Sequence, residues 1–379
     1  MGYMEFCAPC LFGLEGVLAK ELREISAENV RAENGRVLFS GDYNTLARSN
    51  ICLRTAERVC IVLGSFYAKT FDALFEGTKR LPFERFIGKS NAFPVAGWSL
   101  DSKLFSVRDC QKIIKKAAVT RLSEKYHISW FEETGPAVQI RFSILKDRVT
   151  VMLDTSGEGL HKRGYRANSA GAPIKETLAA AMVMLSRPYS DSTLYDPFCG
   201  SGTIAIEAAM LADGVAPGLH RTFAGESFAF LPADVWRDAR EEAQSRRRES
   251  GMRIYGSDID PACVELSRAN AQRAGVASRI TFACADARAF VSPEPGARGT
   301  IVTNPPYGER LGDLASSRKL AEAFGRALRE NVPFWQIYVI SADEDFARYF
   351  GRRPDKVRKL YNGMLRCSYF QFFKKTTVC

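Results

Sequence analysis

No run of apolar residues in this chain approaches the ~20 needed for a membrane-spanning helix, so a helical span is excluded at the outset. The opening stretch MGYMEFCAPC lacks a basic segment ahead of an apolar one, which argues against export and makes the cytoplasm the expected compartment. Histidine is scarce, at three in 379 residues. The ten cysteines fall at irregular intervals and give one C-x-x-C, Cys7 to Cys10, with no second pair or histidine cluster to complete a tetrahedral zinc site. No metal is therefore expected, and the cysteines read as small buried apolar side chains kept reduced. No internal repeat is present.

What the chain does have is enough apolar content, 46%, to fill two or three cores at the usual domain size. It also has an excess of positive charge, 53 Lys and Arg against 43 Asp and Glu, which favours a polyanionic partner. Part of that charge is patterned. Lys112, Lys115, Lys116, Arg121 and Lys125 accompany Ile113, Ile114, Ala117, Ala118 and Leu122, a helix with one apolar stripe and a basic remainder. Further basic clusters are Arg246-Arg247-Arg248, Arg352-Arg353 and Lys356 to Lys359.

The front of the chain reads as α+β. A helix stripe (Val17, Leu18, Leu22, Ile25) precedes Asn34-Gly35 between two short strands, a type I′ hairpin signal. Helices over 43–53 and 71–81, strands over 58–64 and 93–98 and the basic helix over 109–125 follow. Val138, Ile140, Phe142 and Ile144 alternate, and Lys146-Asp147 turns the chain into Val149, Val151 and Leu153. A Gly/Asn/Ser-rich stretch, 156–171, separates this part from one in which helices and strands alternate, the pattern of a parallel sheet covered by helices. Near the end, Asn362-Gly363 between two strands predicts a terminal antiparallel hairpin.

Four short motifs punctuate the second part. Asp196-Pro-Phe-Cys-Gly-Ser-Gly-Thr203 follows a strand and opens a helix, and its glycines let a ligand approach the backbone at the carboxyl end of a sheet. Gly256-Ser-Asp-Ile-Asp-Pro261 puts Asp258 where a carboxylate accepts from ribose hydroxyls, while Asp260 before Pro261 reads as a helix N-cap. Cys284-Ala-Asp-Ala287 places Asp286 either as an acceptor for an adenine amino group or as another helix cap. Asp258 lies far beyond the ~20 residues at which a dinucleotide fold sets its acidic residue after the glycines. Thr303-Asn-Pro-Pro-Tyr-Gly-Glu-Arg310 is a stiff turn that keeps its carbonyls and loses two N–H donors, so it is built to accept hydrogen bonds beside an aromatic ring. Such a site suits a flat molecule bearing an amino group, as a nucleobase does.

DPFCGSGT, GSDIDP, CADA and NPPY, in that order on successive strands, resemble the motifs of class I S-adenosylmethionine-dependent methyltransferases that act on amines. Upstream, LHKRGYR and APIKETLA resemble the segment ahead of the catalytic domain in THUMP-containing RNA guanine-N2 methyltransferases. FGLEGVLAKEL, AENGRVLFSG and SLDSKLFSVRDCQKIIKKAAVTRL resemble the ferredoxin-like and THUMP portions of the RlmL-type 23S rRNA methyltransferase, so the likeness covers nearly the whole chain. It implies a ferredoxin-like domain over 1–57, a THUMP domain over 58–156, a linker over 157–172 and a Rossmann-like methyltransferase domain over 173–379.

The resemblance implies transfer of methyl from S-adenosylmethionine to N2 of a guanosine, in 23S rRNA or its precursor, with no metal. Asn304 and Pro305 would receive the amine and Tyr307 would stack on the base. The cofactor would lie against Asp196, Phe198, Gly200, Gly202, Thr203, Asp258, Ile259, Asp286 and Ala287. RNA would meet Lys112, Lys115, Lys116, Arg163 and Arg166, although Arg163, Tyr165 and Arg166 also suit a cofactor contact or a solvated loop. Glu176 suits the methionine end of the cofactor or a helix N-terminus. In the 217–232 insert, Arg221, Phe223, Phe228 and Phe230 read first as packing for the following helix and second as a holder for an unstacked base. Transfer RNA guanine-N2 methylation, DNA adenine-N6 methylation and a non-enzymatic ribosome-assembly factor share parts of this pattern. The chain stops after one methyltransferase domain, where some relatives carry a second, so a second modification is not expected.

Overall fold

The computed structural model describes residues 3–166, 174–307 and 313–373. Two compact units emerge, one of Met1–Cys10, Ala19–Leu160 and Arg221–Glu242, the other of Leu11–Leu18, His161–His220 and Ala243–Cys379. Among the described residues, no helix is long and apolar enough to cross a membrane, and no group of three or more His, Cys, Asp or Glu is placed to hold a metal ion.

The first unit contains strands β1 (Met4–Pro9), β2 (Glu28–Glu33), β3 (Arg36–Gly41), β4 (Cys60–Tyr67), β5 (Asn91–Ala92), β6 (Val95–Leu100), β7 (Gly135–Ala137), β8 (Ile140–Leu145) and β9 (Arg148–Asp154). Seven of them form one sheet in the order β2-β3-β1-β4-β9-β8-β6. Backbone pairing thus joins the start of the chain to its later strands: β1 meets β4 at Phe6↔Ile61 and Cys7↔Cys60. The basic helix runs over Val107–Tyr126 and buries Ile114, Ala117, Ala118 and Leu122 of the apolar stripe read from the sequence, with Cys110 in addition, while Ile113 is half-buried.

The hairpin at Asn34-Gly35 lies where its signal placed it, between the paired Glu33 and Arg36, but its turn type differs. A type I′ turn needs positive φ at both central residues; at Asn34-Gly35 only Gly35 has it, at 73°. That backbone occurs instead at Lys146-Asp147, with φ of 50° and 63° between the paired Leu145 and Arg148. Non-glycine residues tolerate this only when held, and the Asp147 carboxylate accepts from the Lys103 N–H at 2.8 Å while its own N–H donates to Ser102 Oγ at 3.0 Å.

The second unit carries β10 (Thr193–Asp196), β11 (Arg253–Asp258), β12 (Ile280–Cys284), β13 (Gly299–Thr303), β14 (Gln336–Ser341), β15 (Lys356–Asn362) and β16 (Leu365–Phe372) in the order β12-β11-β10-β13-β14-β16-β15. The first five run parallel and β16 lies antiparallel to β14. This is the Rossmann-like sheet with the terminal hairpin anticipated above. Every residue of β10 and β13 is buried, as both faces of a parallel sheet must be. At the hairpin, Asn362 pairs with Leu365, so the turn residues are Gly363-Met364, one position later than expected, with Gly363 at φ 64°.

Candidate active site

The carboxyl ends of β10, β11 and β13 converge on one set of side chains. After Asp196 the chain passes through Pro-Phe-Cys-Gly-Ser-Gly into the helix Thr203–Ala212, with Gly200 and Gly202 at φ 52° and 80°. A Cβ on Gly202 would stand 3.0 Å from Ser267 Cβ and 3.2 Å from Phe282 Cζ, so this glycine permits close packing. A Cβ on Gly200 would meet nothing within 4 Å: the backbone there is bare. Asp258 ties the loop to β11, its Oδ2 accepting from the Gly200 N–H at 2.9 Å and its Oδ1 from the Asp260 N–H at 3.1 Å. Asp260 caps the next helix, accepting from the Ala262 N–H at 2.8 Å.

Asp196 is buried, and its Oδ1 accepts from Thr303 Oγ1 at 2.6 Å and from the Phe198 N–H at 3.2 Å. Burial pushes its carboxyl up to about 7; the Thr303 and Phe198 bonds oppose the shift and the Asp258 charge adds to it. Phe198 is half-buried, its ring edge-on to Phe324 at 5.1 Å. Ile259 stands 62% exposed beside Asp258, whereas Ala287 is buried. Asp286 is a cap, accepting from the Arg288 N–H at 2.9 Å, and Arg288 Nε also reaches both its oxygens, at 3.0 and 2.8 Å. That guanidinium holds the Asp286 carboxyl below the usual carboxylate range.

Immediately past β13, Asn304 is half-buried and its Oδ1 is sealed from solvent with no hydrogen-bond partner among the described residues. A buried amide oxygen left so costs ~1–3 kcal/mol, and it is open to a donor from a bound molecule. Pro305 is buried and Pro306 exposed. The half-buried Tyr307 accepts from Asn362 Nδ2 at 3.1 Å, which brings the terminal hairpin into the site. Residues 308–312, including Gly308, Glu309 and Arg310 of the motif, lie outside the described residues.

Several basic residues expected to meet RNA are engaged internally. The Arg163 side chain is 2% exposed and lies 3.5 Å from the fully buried Glu207, which also accepts from the Tyr165 hydroxyl at 3.1 Å. A cation so enclosed is not available to a surface phosphate, so the expectation for Arg163 is corrected. Arg166 donates to Thr203 Oγ1 at 2.7 Å and to the Ile174 carbonyl at 3.1 Å, with Glu176 at 3.5 Å, so it braces the helix after the glycine loop. Lys115 bonds Glu133 and the Phe93 carbonyl and sits 3.4 Å over the Phe93 ring, an intramolecular role. Lys112 and Lys116 remain exposed. The insert follows the packing reading: Phe223 stacks on Trp236 at 5.3 Å, Phe230 meets Phe86 at 5.0 Å, and Arg221 donates to the carbonyls of Gly159 and Glu158.

Residues 163–371, more than half of the chain, match the family profile described as RMKL-like, methyltransferase domain. The chain belongs to the RMKL-like methyltransferase family. Ahead of that domain, residues 5–60 match the RlmL ferredoxin-like domain and 68–154 the THUMP domain. This RMKL-like methyltransferase is 43% identical over 367 residues to YpsC of Bacillus subtilis (strain 168), named as a candidate RNA methyltransferase, across 96% of this chain and 94% of that one. Among solved structures it is similar to a possible methylase from Clostridium difficile 630, at 42% identity and a TM-score of 0.95 over the whole of both chains. It is also similar to SMU.472, a candidate methyltransferase complexed with SAH, at 38% identity and a TM-score of 0.92 over the whole of both chains. Sequence reasoning overlooked four side chains of the RMKL-like site: Thr303, Glu207, Asn362 and Arg288. The first three act through partners distant in sequence, and Arg288 through the cap two residues before it.

Proposed function

We propose that this RMKL-like methyltransferase transfers the methyl group of S-adenosylmethionine to the exocyclic N2 amine of a guanosine in RNA, with 23S rRNA as the substrate. One observation carries the reading: a buried acceptor, Asn304 Oδ1, without a protein donor among the described residues, on a proline-framed turn that also offers the Pro305 carbonyl.

The residues present fit S-adenosylmethionine as the methyl donor. Gly200 leaves its backbone bare, and Asp258 accepts two N–H bonds while a carboxylate has about four acceptor positions, so two remain for ribose hydroxyls. Phe198, Gly202, Thr203, Ile259, Asp286 and Ala287 complete the set we assign to the cofactor. Bound there, S-adenosylmethionine supplies an electrophilic methyl group on a positively charged sulfur.

A guanine amine is planar and weakly nucleophilic because its lone pair is delocalised into the ring. Asn304 Oδ1 and the Pro305 carbonyl, each holding one N–H, favour pyramidalisation and aim the lone pair at the methyl carbon; as the N–C bond formed, the S–CH3 bond would break, S-adenosylhomocysteine would leave as a neutral thioether, and the nitrogen would shed one proton to water. Acceptors that tighten in the transition state contribute about 2.7–4 kcal/mol for one well-placed group. The Tyr307 ring offers a stacking platform worth ~1–3 kcal/mol to an unstacked base. Pro305 and Pro306 restrict the backbone, so the acceptors are fixed before substrate arrives.

RNA as substrate is supported by the THUMP and RlmL ferredoxin-like stretches and by the name of YpsC. Lys112 and Lys116 are the docking residues we retain, with residues 1–156 as the docking part and 173–379 as the catalytic part. The test is transfer of label from S-adenosylmethionine to purified 23S rRNA, transfer RNA and duplex DNA, each lacking the modification. Label on 23S rRNA is expected; label on transfer RNA or DNA instead would overturn the assignment.

A further inference from the structure

The terminal hairpin of a methyltransferase sheet completes the fold, but one residue at its end reaches the reacting turn. Asn362, the last residue of β15, donates through Nδ2 to the Tyr307 hydroxyl at 3.1 Å. Asn362 pairs across the hairpin with Leu365, next to a two-residue turn that starts with Gly363 at φ 64°. Its position is therefore fixed by the ladder that runs from Lys356↔Gln371 to Asn362↔Leu365 and by the pairing of β16 with the buried β14. Tyr307, half-buried, follows two prolines that restrict the backbone ahead of it, and its hydroxyl is the atom that Asn362 reaches.

Stacking requires only a ring; every base has a π-face and phenylalanine would serve. A hydroxyl bonded to a rigid hairpin adds control over where that ring stands. We infer that Asn362 is a positioning residue that holds the Tyr307 ring in the orientation required to receive the target base. The terminal hairpin is thereby part of the substrate site, although Asn362 lies far along the chain from every motif residue. The inference rests on the reading of Tyr307 as the base platform. Misorientation of the ring acts on RNA and leaves the donor's side of the site unchanged, because the bonds that hold Asp258 and Asp286 run to Gly200, Asp260 and Arg288.

The test is a double-mutant cycle on the full-length protein with Asn362→Ala, Tyr307→Phe and the pair, measured as kcat/KM for RNA and as calorimetric Kd for S-adenosylmethionine. Each single variant is expected to lower kcat/KM about fivefold, the factor for losing one net hydrogen bond, and the pair is expected to be no worse than either single. The donor Kd should stay within about twofold throughout, and Asn362→Asp, which can accept from the hydroxyl, should restore at least half of the lost activity. A multiplicative loss of about 25-fold in the pair, or an equal loss of donor affinity, would overturn the assignment. A second measurement is independent of the substrate: 19F spectra of 3-fluorotyrosine at position 307 in the free protein. One narrow line that broadens or shifts in Asn362→Ala is expected, and an unchanged line would overturn the inference even if the wild type proved active. Conversely, a wild type that methylates no RNA defeats the functional reading, while the fluorine spectra still decide whether Asn362 holds the ring.

Discussion

Thr303 Oγ1 donates a 2.6 Å hydrogen bond to Asp196 Oδ1, joining the residue before Asn304 to the residue that opens the glycine loop. Both side chains are buried, on neighbouring parallel strands. The bond links the acceptor turn for the amine to the backbone we assign to the cofactor. Thr303→Val keeps the volume and removes the donor. It should destabilise the fold by ~1–3 kcal/mol, since a buried carboxyl loses one of its two partners, and should weaken donor binding. Urea denaturation and calorimetry check the two effects.

The same carboxyl gives a pH dependence with a defined sign. Burial raises Asp196 from an ordinary value near 3.8 to about 7. Between those values the unfolded chain has released a proton that the folded chain keeps, so stability falls as pH rises through the window and levels off on either side. The charged and titratable groups around it are Asp258, Cys199 and Tyr195, with Thr303 as its hydroxyl partner. The slope from this group approaches about 1.4 kcal/mol per pH unit inside the window. Denaturation at about pH 5 and about pH 7.5 should show a decline in the wild type that is reduced in Asp196→Asn.

Asn304 should trade stability for activity. Its Oδ1 is buried without a partner among the described residues, so Asn304→Ala removes an unsatisfied acceptor and is expected to leave the melting temperature unchanged or raised. Turnover should fall by about 10²-fold or more, the cost of one well-placed polar group. A variant that melts lower and still turns over would refute both parts.

The basic helix should divide by residue. Lys112 and Lys116 are exposed, so Lys112→Ala and Lys116→Ala should weaken RNA affinity and reduce the salt slope by about 0.9 for each phosphate no longer neutralised. Lys115 is held by Glu133 and Phe93, so Lys115→Ala should destabilise the first unit with little change in that slope. Filter binding across a salt series and thermal melting separate the outcomes.

Much of this protein was legible in its sequence because the signals are local. Parallel strands buried on both faces read as short apolar runs, and glycines at φ 52° and 80° mark the loop after β10. The stripe of the basic helix is set by Ile114, Ala117, Ala118 and Leu122 within the element itself. Four elements escaped notice: β1, a six-residue strand without alternation, and β5, β7 and the five-residue helix Phe346–Phe350, each too short to show a period. The internal partners of the basic residues went unread for one reason. Arg163 and Lys115 carry charge in the sequence, but Glu207 and Glu133, which engage it, lie 44 and 18 residues away. Thr303 finds Asp196 across 107 residues and Asn362 finds Tyr307 across 55, distances at which no spacing rule operates. The terminal hairpin turn was misread by register: Asn362-Gly363 marks a turn region, while strand pairing puts Gly363-Met364 in it; Asn34-Gly35 does occupy the turn between the paired Glu33 and Arg36.

The central claim is that Asn304, Pro305 and Tyr307 present a guanine amine to a methyl donor. It is tested most directly by incubating the wild-type and Asn304→Ala proteins with total RNA and labelled S-adenosylmethionine, then digesting the RNA to nucleosides. The account predicts label in N2-methylguanosine with the wild type and about a hundredfold less, or lower still, with the variant. Label in N6-methyladenosine, or equal label from both proteins, would contradict it.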